Sequence, residues 1–269
     1  MRFTFLKKGL YGLFVTASLS VSPAFGDGTV IDTGIVYGRG AVEGGSIPLV
    51  LDLYRPATGC SEPCPVVVTM HGGGFKSGSR SGRNWRLVAE ELTDEGYAVI
   101  SIDYRLTGDN PVPNESYLQN FTRGASSDLL TFAGDSEKAQ QARAAISAFE
   151  DTFIALEWLA QNAEQYGFDP TRVALWGSSA GAVIANSVAF GMDELGVSSS
   201  VEIRSVVGFW GNLPDVFEVA AGDPAVLIVH GENDRTIGIE NAEGLYQSAL
   251  ARGVPVQYFP FRNKRAQLV

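Results

Sequence analysis

Three short segments of the chain carry residues that could together perform acyl transfer. Ser179 is centred in Gly-Ser-Ser-Ala-Gly, His71 opens His-Gly-Gly-Gly-Phe, and Asp234 lies in His-Gly-Glu-Asn-Asp-Arg-Thr. A serine hydroxyl can attack a carbonyl carbon, and backbone N–H groups of a glycine loop can hold the oxygen that becomes negative. An acid can orient the base that accepts the serine proton. The three segments therefore predict nucleophilic catalysis by a serine.

Ser179 lies where the sequence predicts a sharp strand-to-helix turn. The apolar run 172–176 precedes it, and a helical pattern follows it. Gly177 and Gly181 permit the tight turn and close packing that a G-x-S-x-G nucleophile needs. Ser178 is a weaker candidate because it lacks the flanking glycine spacing. A Gly/Ser turn that only caps a helix is the alternative.

The glycine loop follows another apolar run, 66–70, and provides candidate oxyanion donors. Only glycine lets a backbone approach a ligand so closely in unusual conformations. We assign the N–H groups of Gly73 and Gly74 as donors, with that of Ala180 as a third. A phosphate-binding loop is the alternative, but the segment lacks both a Lys-Ser/Thr ending and G-x-G-x-x-G spacing.

Asp234 is the candidate acid of the site. It follows the apolar strand pattern 225–230, and an acid after a late strand fits the chain order serine, acid, histidine. Glu232 is a weaker candidate for the same role. A surface aspartate in a turn is the alternative.

The base is the member of the triad that the sequence does not supply. The chain has two histidines, His71 and His230, and both belong to segments in which histidine is not the base. No histidine follows Asp234. We therefore expect the catalytic histidine to be absent.

Strand and helix patterns alternate along the chain, which predicts an α/β domain with a mostly parallel sheet and helices on both faces. The first two predicted strands form an antiparallel pair separated by the glycine-rich stretch 38–46. The predicted strands are 28–37, 47–54, 65–70, 98–102, 172–176, 201–210, 225–230 and 256–261. The predicted helices are 84–95, 136–165, a helix beginning after Ser179, and 240–252.

Residues 107–135 fit neither pattern, and an irregular stretch of this length is commonly functional. It falls between a strand and a helix, where a lid could cover a pocket. An irregular surface insertion is the alternative.

The first 26 residues have the pattern of a secretory signal peptide. Three basic residues precede the apolar run 9–21, and the small residues Ala24 and Gly26 form a cleavage site. A membrane anchor is the alternative, but the run is short for a stable span. The sequence thus predicts a secreted or periplasmic domain, 27–269.

The net charge of this domain is strongly negative. Removing the three basic residues of the signal peptide changes the net charge from −10 to −13, which argues against nucleic acid and anionic membranes as partners.

Cys60 and Cys64 are the only cysteines. In an oxidising compartment two cysteines this close predict a small disulfide loop. A metal site and two free thiols are the alternatives, and no further ligand lies nearby in the sequence.

Five ordered motifs together resemble the α/β-hydrolase superfamily. They are LDLYRP at 51–56, VVVTMHGGGF at 66–75, SIDYRL at 101–106, ALEWLAQNAEQYGFDPTRVALWGSSAGA at 155–182 and VLIVHGENDRTI at 226–237. The set is most similar to carboxylesterases and lipases with an HGGG loop, including compact feruloyl- and acetyl-esterase-like bacterial enzymes. The resemblance implies Ser179 as nucleophile, Asp234 as acid, and Gly73, Gly74 and Ala180 as oxyanion amides, with His71 supporting the loop structurally. It also implies a catalytic histidine and a closing helix after the last strand. Neither follows 256–261 here, so we expect the C-terminal helix to be missing and the C-terminal end to be truncated.

These observations predict a secreted hydrolase of small-molecule carboxylic esters, acting through an acyl-enzyme on short-chain substrates. The chemistry requires no metal or organic cofactor, and the sequence does not define the oligomeric state. Two alternatives remain. One is a catalytically inactive α/β-hydrolase with a binding role, and the other is a related hydrolase such as a peptidase or an aryl formamidase.

Overall fold

The computed structural model describes residues 28–60, 62–122 and 136–262 of the 269-residue chain. The predicted signal peptide, 1–26, lies outside the described residues. The same holds for most of the C-terminal stretch in which we expect no helix, and for residues 123–135 of the predicted lid.

The described residues form one eight-stranded sheet of order β1-β2-β4-β3-β5-β6-β7-β8. The strands are β1 Thr29–Val42, β2 Gly45–Pro56, β3 Cys64–Met70, β4 Ala98–Ile102, β5 Phe168–Ser178, β6 Ile203–Phe209, β7 Ala225–Gly231 and β8 Val256–Phe261. β1 pairs antiparallel with β2, which pairs antiparallel with β4, and the remaining pairs are parallel. The predicted α/β class with a mostly parallel sheet is confirmed.

Six α-helices and one 3₁₀ turn, Thr107–Asp109, connect the described strands. The helices are α1 Arg83–Asp94, α2 Glu115–Thr122, α3 Glu137–Gln161, α4 Ala163–Tyr166, α5 Ala180–Leu195 and α6 Ile239–Arg252. Buried residues of α3, α5 and α6 pack with one face of the sheet, whereas Ala89 and Leu92 of α1 pack with the other. Both faces of the sheet therefore carry helices, as predicted.

A buried arginine joins the antiparallel hairpin to the helical layer. Arg105 is 1% exposed and donates to the carbonyl oxygen of Ala41 in β1 at 2.8 Å. Its Nε donates to the buried Asp151 carboxylate of α3 at 2.9 Å, and its Nη2 to Glu150 at 2.9 Å. Because an unpaired buried charge is strongly destabilising, this network fixes the hairpin, the loop after β4 and α3 relative to one another.

Three predictions about local structure require correction. The stretch 38–46 is not a separator, because β1 continues to Val42 and the turn before β2 is only Glu43 and Gly44. The long helix predicted to reach residue 165 ends at Gln161, and α4 follows it as a separate turn. Within the predicted irregular stretch, residues 115–122 form α2.

Cys60 and Cys64 form the predicted disulfide, which closes the loop between β2 and β3. The bond lies at the amino-terminal ends of the parallel strands. The glycine loop and Ser179 follow the carboxyl ends of β3 and β5, so the disulfide and the candidate site lie at opposite edges of the sheet.

Candidate active site

Ser179 lies between the end of β5 and the first residue of α5, and its backbone has a φ of 52°. This left-handed conformation is uncommon for a residue with a Cβ. A Cβ at Gly177 would overlap the Gly181 carbonyl, and a Cβ at Gly181 would lie within 2.6 Å of His71 O. The two glycines are therefore required because helix, turn and neighbouring strand pack backbone against backbone.

The glycine loop after β3 packs directly against this turn. An ideal Cβ built on Gly72 would lie 3.3 Å from Ser179 Cβ, so the loop passes beside the serine side chain. Gly73 and Gly74 have positive φ angles of 118° and 62°. A Cβ at Gly73 would lie 2.6 Å from the carbonyl carbon of Ser77, which explains why this position is glycine.

The predicted oxyanion amides lie in the glycine loop and at the first residue of α5. Within the described ranges, the N–H groups of Gly73, Gly74 and Ala180 donate no hydrogen bond to the protein. Ala180 is the first residue of α5, where helical N–H groups lack an intrahelical acceptor and favour negative charge. The arrangement thus offers unpaired donors on both sides of Ser179, from the loop and from the helix.

His71 and Tyr104 stabilise the start of the glycine loop through hydrogen bonds and ring stacking. Its Nδ1 donates to Gly72 O at 2.7 Å, and its ring stacks on Tyr104 with 4.3 Å between centroids. The Tyr104 hydroxyl in turn donates to His71 O at 2.7 Å. Burial lowers the pKa of His71, although the Gly72 hydrogen bond and the charge of Asp103 oppose this shift. A neutral imidazole with its proton on Nδ1 is the form that fits these contacts.

Hydrogen bonds fix the segment that follows the glycine loop at Arg80, and the sequence did not predict them. Arg80 donates from its backbone N–H to Asp103 Oδ1 at 2.6 Å and from its Nε to Asp52 Oδ1 at 2.9 Å. Ser101 Oγ donates to Arg80 O at 2.8 Å. Asp103 lies within the SIDYRL motif, but nothing in the sequence indicates that Arg80 is its partner.

Asp234 lies in the turn after β7, and only one of its two carboxylate oxygens accepts hydrogen bonds from the described residues. Oδ1 accepts the N–H groups of Thr236 at 2.8 Å and Ile237 at 3.1 Å, while Oδ2 accepts none from the described residues. The alternative acid, Glu232, is exposed and accepts a hydrogen bond from Arg262 at 2.6 Å. The free oxygen of Asp234 is therefore better suited to hold an imidazole.

Backbone hydrogen bonds connect the serine turn to the strand that precedes Asp234. Ser179 N–H donates to Phe209 O of β6 at 2.8 Å, and Trp210 N–H donates to Val229 O of β7 at 2.7 Å. The serine and the acid thus follow β5 and β7 at the same edge of the sheet, with β6 between them.

The second histidine is enclosed in the protein. His230 in β7 is 0% exposed, and its Nδ1 donates to Gly231 O at 3.2 Å. Its Nε2 has no hydrogen-bond partner among the described residues. Ser178, the weaker nucleophile candidate, is the last residue of β5 and is paired with Phe209 in the parallel ladder.

Two further features of the described part of the chain bear on binding. No group of three or more His, Cys, Asp or Glu side chains there could hold a metal ion. None of the helices within 28–60, 62–122 and 136–262 is both long and apolar enough to cross a bilayer.

Comparison with known proteins identifies the class of this fold. Residues 142–210 match the profile described as the alpha/beta hydrolase fold. The solved structure of Thermogutta terrifontis esterase 2 phosphorylated by paraoxon superimposes with a TM-score of 0.62 at 20% identity, covering 88% of this chain and 83% of that one. Esterase LipW of Mycobacterium marinum gives a TM-score of 0.59 at 22% identity, over 87% and 72%. The protein has the α/β-hydrolase fold.

Relatives in sequence indicate which kind of α/β-hydrolase this chain resembles. Residues 51–117 match the BD-FAE profile. Gut esterase 1 of Caenorhabditis elegans is 27% identical over 175 residues, which are 64% of this chain and 26% of that protein. Esterase LipI of Mycobacterium tuberculosis is 28% identical over 151 residues, 55% and 36% of the two chains. The match thus spans about a quarter to a third of these relatives. In sequence the chain is therefore similar to esterases.

Proposed function

We propose that this protein is a serine-dependent hydrolase of carboxylic esters. The observation that carries the proposal is the left-handed Ser179 turn packed against Gly72, together with the N–H groups of Gly73, Gly74 and Ala180, which have no acceptor in the part of the chain that the structure describes. Unpaired donors beside a presented hydroxyl are what the tetrahedral intermediate of acyl transfer requires, because its oxygen becomes negative. The esterase and lipase relatives support the choice of esters as substrates.

In the proposed reaction, Ser179 Oγ attacks the ester carbonyl carbon and a base accepts the hydroxyl proton. The carbonyl oxygen becomes an oxyanion at the three amides. The intermediate then expels the alcohol, which takes the proton, and leaves an acyl-serine. Water attacks this acyl group in the same way and releases the acid. Asp234 Oδ2 would hold and orient the imidazole that serves as base.

The proposed base is a histidine that this sequence does not contain. Both of its histidines are committed elsewhere, because His71 donates to the glycine loop and His230 is fully buried. Removing the histidine of a working triad lowers turnover by roughly 10⁶-fold. The oxyanion amides alone would sustain a small residual rate.

We propose short-chain esters as substrates and a secreted or periplasmic location. Thermogutta terrifontis esterase 2 is solved with propionate and with butyrate, which supports small acyl groups. The Cys60–Cys64 disulfide supports an oxidising compartment, as does the signal-peptide pattern of residues 1–26. A secreted lipase of Botryotinia fuckeliana is 31% identical over 141 residues, half of this chain and a fifth of that protein.

The test is hydrolysis of p-nitrophenyl acetate by the wild type, Ser179→Ala and Ser178→Ala. We expect a slow rate that falls in Ser179→Ala and persists unchanged in Ser178→Ala, because only the first removes the attacking oxygen. Fluorophosphonate labelling followed by peptide mass spectrometry should place the adduct on Ser179. An undiminished rate in Ser179→Ala, with no fluorophosphonate adduct on Ser179 in the wild type, would show that the serine mechanism is wrong.

The second candidate is an inactive α/β-hydrolase that binds a ligand, and the roles of the two histidines favour it. This candidate predicts saturable binding of short-chain esters by calorimetry without turnover or labelling. Parallel assays with p-nitroanilides and N-formyl anilides would detect peptidase or aryl formamidase activity instead.

A further inference from the structure

The glycine loop contains a tight turn whose shape conflicts with its sequence. Lys76 N–H donates to Gly73 O at 3.1 Å, which closes a β-turn with Gly74 and Phe75 at its centre. Both central residues have positive φ angles, 62° and 61°. Two positive angles are the signature of a type I′ turn. The left-handed conformation is strained for phenylalanine, which has a Cβ and a bulky ring.

An alternative form of the same turn would relieve this strain. Rotation of the peptide between Gly74 and Phe75 by about 180° converts a type I′ turn into type II′, in which only the first central residue keeps a positive φ. That residue is Gly74, which tolerates such angles without a steric penalty. Phe75 would return to an ordinary negative φ. The local sequence therefore favours type II′, and contacts from outside the turn must stabilise the observed form.

Gln141 makes such a contact. From the second turn of α3, its side-chain Nε2 donates to Gly74 O at 3.1 Å. Rotation of the central peptide would direct Gly74 O away from α3 and break this hydrogen bond. Lys76 also forms an ion pair with Glu137, one helical turn earlier on α3, so the helix contacts the loop at two points.

The orientation of this peptide affects the charge that the loop presents. In a trans peptide the carbonyl and the following N–H point in opposite directions, so the Gln141 contact directs Phe75 N–H to the other side. In the described structure Phe75 N–H is unpaired, as are the neighbouring N–H groups of Gly73 and Gly74. Rotation would replace an N–H donor with a carbonyl oxygen beside these amides, and that dipole would repel a developing oxyanion.

We propose that Gln141 is a positioning residue that holds the turn 73–76 in its strained type I′ form. Its hydrogen bond keeps the Gly74 carbonyl away from the amides that stabilise the oxyanion. This inference rests on the proposed function, because it concerns the loop that would bind the oxyanion.

The kinetic test replaces Gln141 by Met, which has similar length but no N–H donor. Gln161→Met, at the exposed end of the same helix, is the matched control. We expect Gln141→Met to lower kcat for p-nitrophenyl acetate by about tenfold, with KM changed by less than about twofold, because the contact acts on the transition state. Gln161→Met should match the wild type.

A double-variant cycle separates this role from a general loss of packing. In Phe75→Gly the type I′ turn has glycine at both central positions and is no longer strained. Adding Gln141→Met in that background should then lower kcat by less than about twofold, because the turn no longer needs the side-chain contact. An equal loss in both backgrounds would contradict the proposal.

Crystal structures of the variants test the turn without requiring turnover. In Gln141→Met we expect Phe75 to adopt a negative φ, and in Gln161→Met it should remain near 61°. A positive φ at Phe75 in Gln141→Met would overturn the inference. If instead the wild type shows no hydrolysis that depends on Ser179, the proposed function fails, while the φ angle still reports on whether Gln141 holds the turn.

Discussion

Replacement of Gly181 by alanine tests whether close backbone packing positions the nucleophile. A Cβ at this position would lie 2.6 Å from His71 O and closer still to Met70 O, whereas ordinary contact begins at 3.4 Å. The first turn of α5 must therefore move away from the end of β3 by at least 0.8 Å. Ser179 precedes this turn and would move with it.

We expect two measurable effects of Gly181→Ala. Forcing extra volume into a tightly packed contact destabilises a protein by about 1–3 kcal/mol, which urea unfolding can measure. A misplacement of about 1 Å at a reacting group lowers catalytic efficiency by roughly 10²-fold, which p-nitrophenyl acetate hydrolysis can measure.

The same substitution at Gly244 is the matched control, because it also replaces a helical glycine by alanine. A Cβ at Gly244 in α6 would meet no atom within 4 Å. Gly244→Ala should stabilise the protein by about 0.5–1 kcal/mol, since alanine is the better helix former. A Gly181→Ala protein as stable and as active as the wild type would refute the packing argument.

Three further predictions concern stability and are measured by urea unfolding. Arg105→Met leaves the Asp151 charge buried without its partner and should destabilise the protein by about 3–5 kcal/mol, and an unchanged midpoint would contradict the network. Opening the disulfide with Cys60→Ser and Cys64→Ser together should destabilise it by about 2 kcal/mol, because the closed loop is short. The pKa of His71 is lowered in the folded protein, so as the pH falls below about 6.5 its unfolded form binds a proton more readily than its folded form. The contribution of neutral His71 to the free energy of unfolding is therefore complete above that pH and decreases as the pH falls. Because asparagine does not titrate, His71→Asn should lose less stability between pH 7.5 and 5.5 than the wild type.

The parallel strands were predictable from sequence because burial on both faces leaves continuous apolar runs. β4 and β8 have the predicted bounds, Ala98–Ile102 and Val256–Phe261. The turn around Ser179 was predictable for a related reason, since the backbone contacts of Gly177 and Gly181 allow no side chain at either position.

The antiparallel pair was predicted correctly, but the full length of its strands was not predictable, because the glycines of β1 have a tertiary cause. Gly38 and Gly40 suggest a loop, but both lie within β1. A Cβ at Gly38 would overlap the side chain of Ile154, and one at Gly40 would lie 2.5 Å from Arg105 Cδ. Glycine is present there to admit side chains from distant parts of the chain, and a short sequence window does not contain that information.

The contacts that support the candidate site were not predictable either, because their partners lie far apart in the sequence. Gln141 reaches Gly74 across 67 positions, and Tyr104 reaches His71 across 33. Neither glutamine nor tyrosine at these positions forms a pattern with its partner. The chemical groups were therefore predictable from motifs, whereas the residues that orient them were not.

The two edges of the sheet differ in how they accommodate left-handed residues. Phe75, Ser179 and Trp210, which follow β3, β5 and β6, hold positive φ angles despite their side chains. At the opposite edge the left-handed positions are glycines with open space around them: Gly59, Gly96, Gly167, Gly196, Gly222 and Gly253. Relaxed, uncrowded turns tolerate new chain ends and grafted segments. Circular permutation or fusion of a second domain should therefore succeed at the glycine edge, and the same operations beside Ser179 should release the strain that shapes the nucleophile.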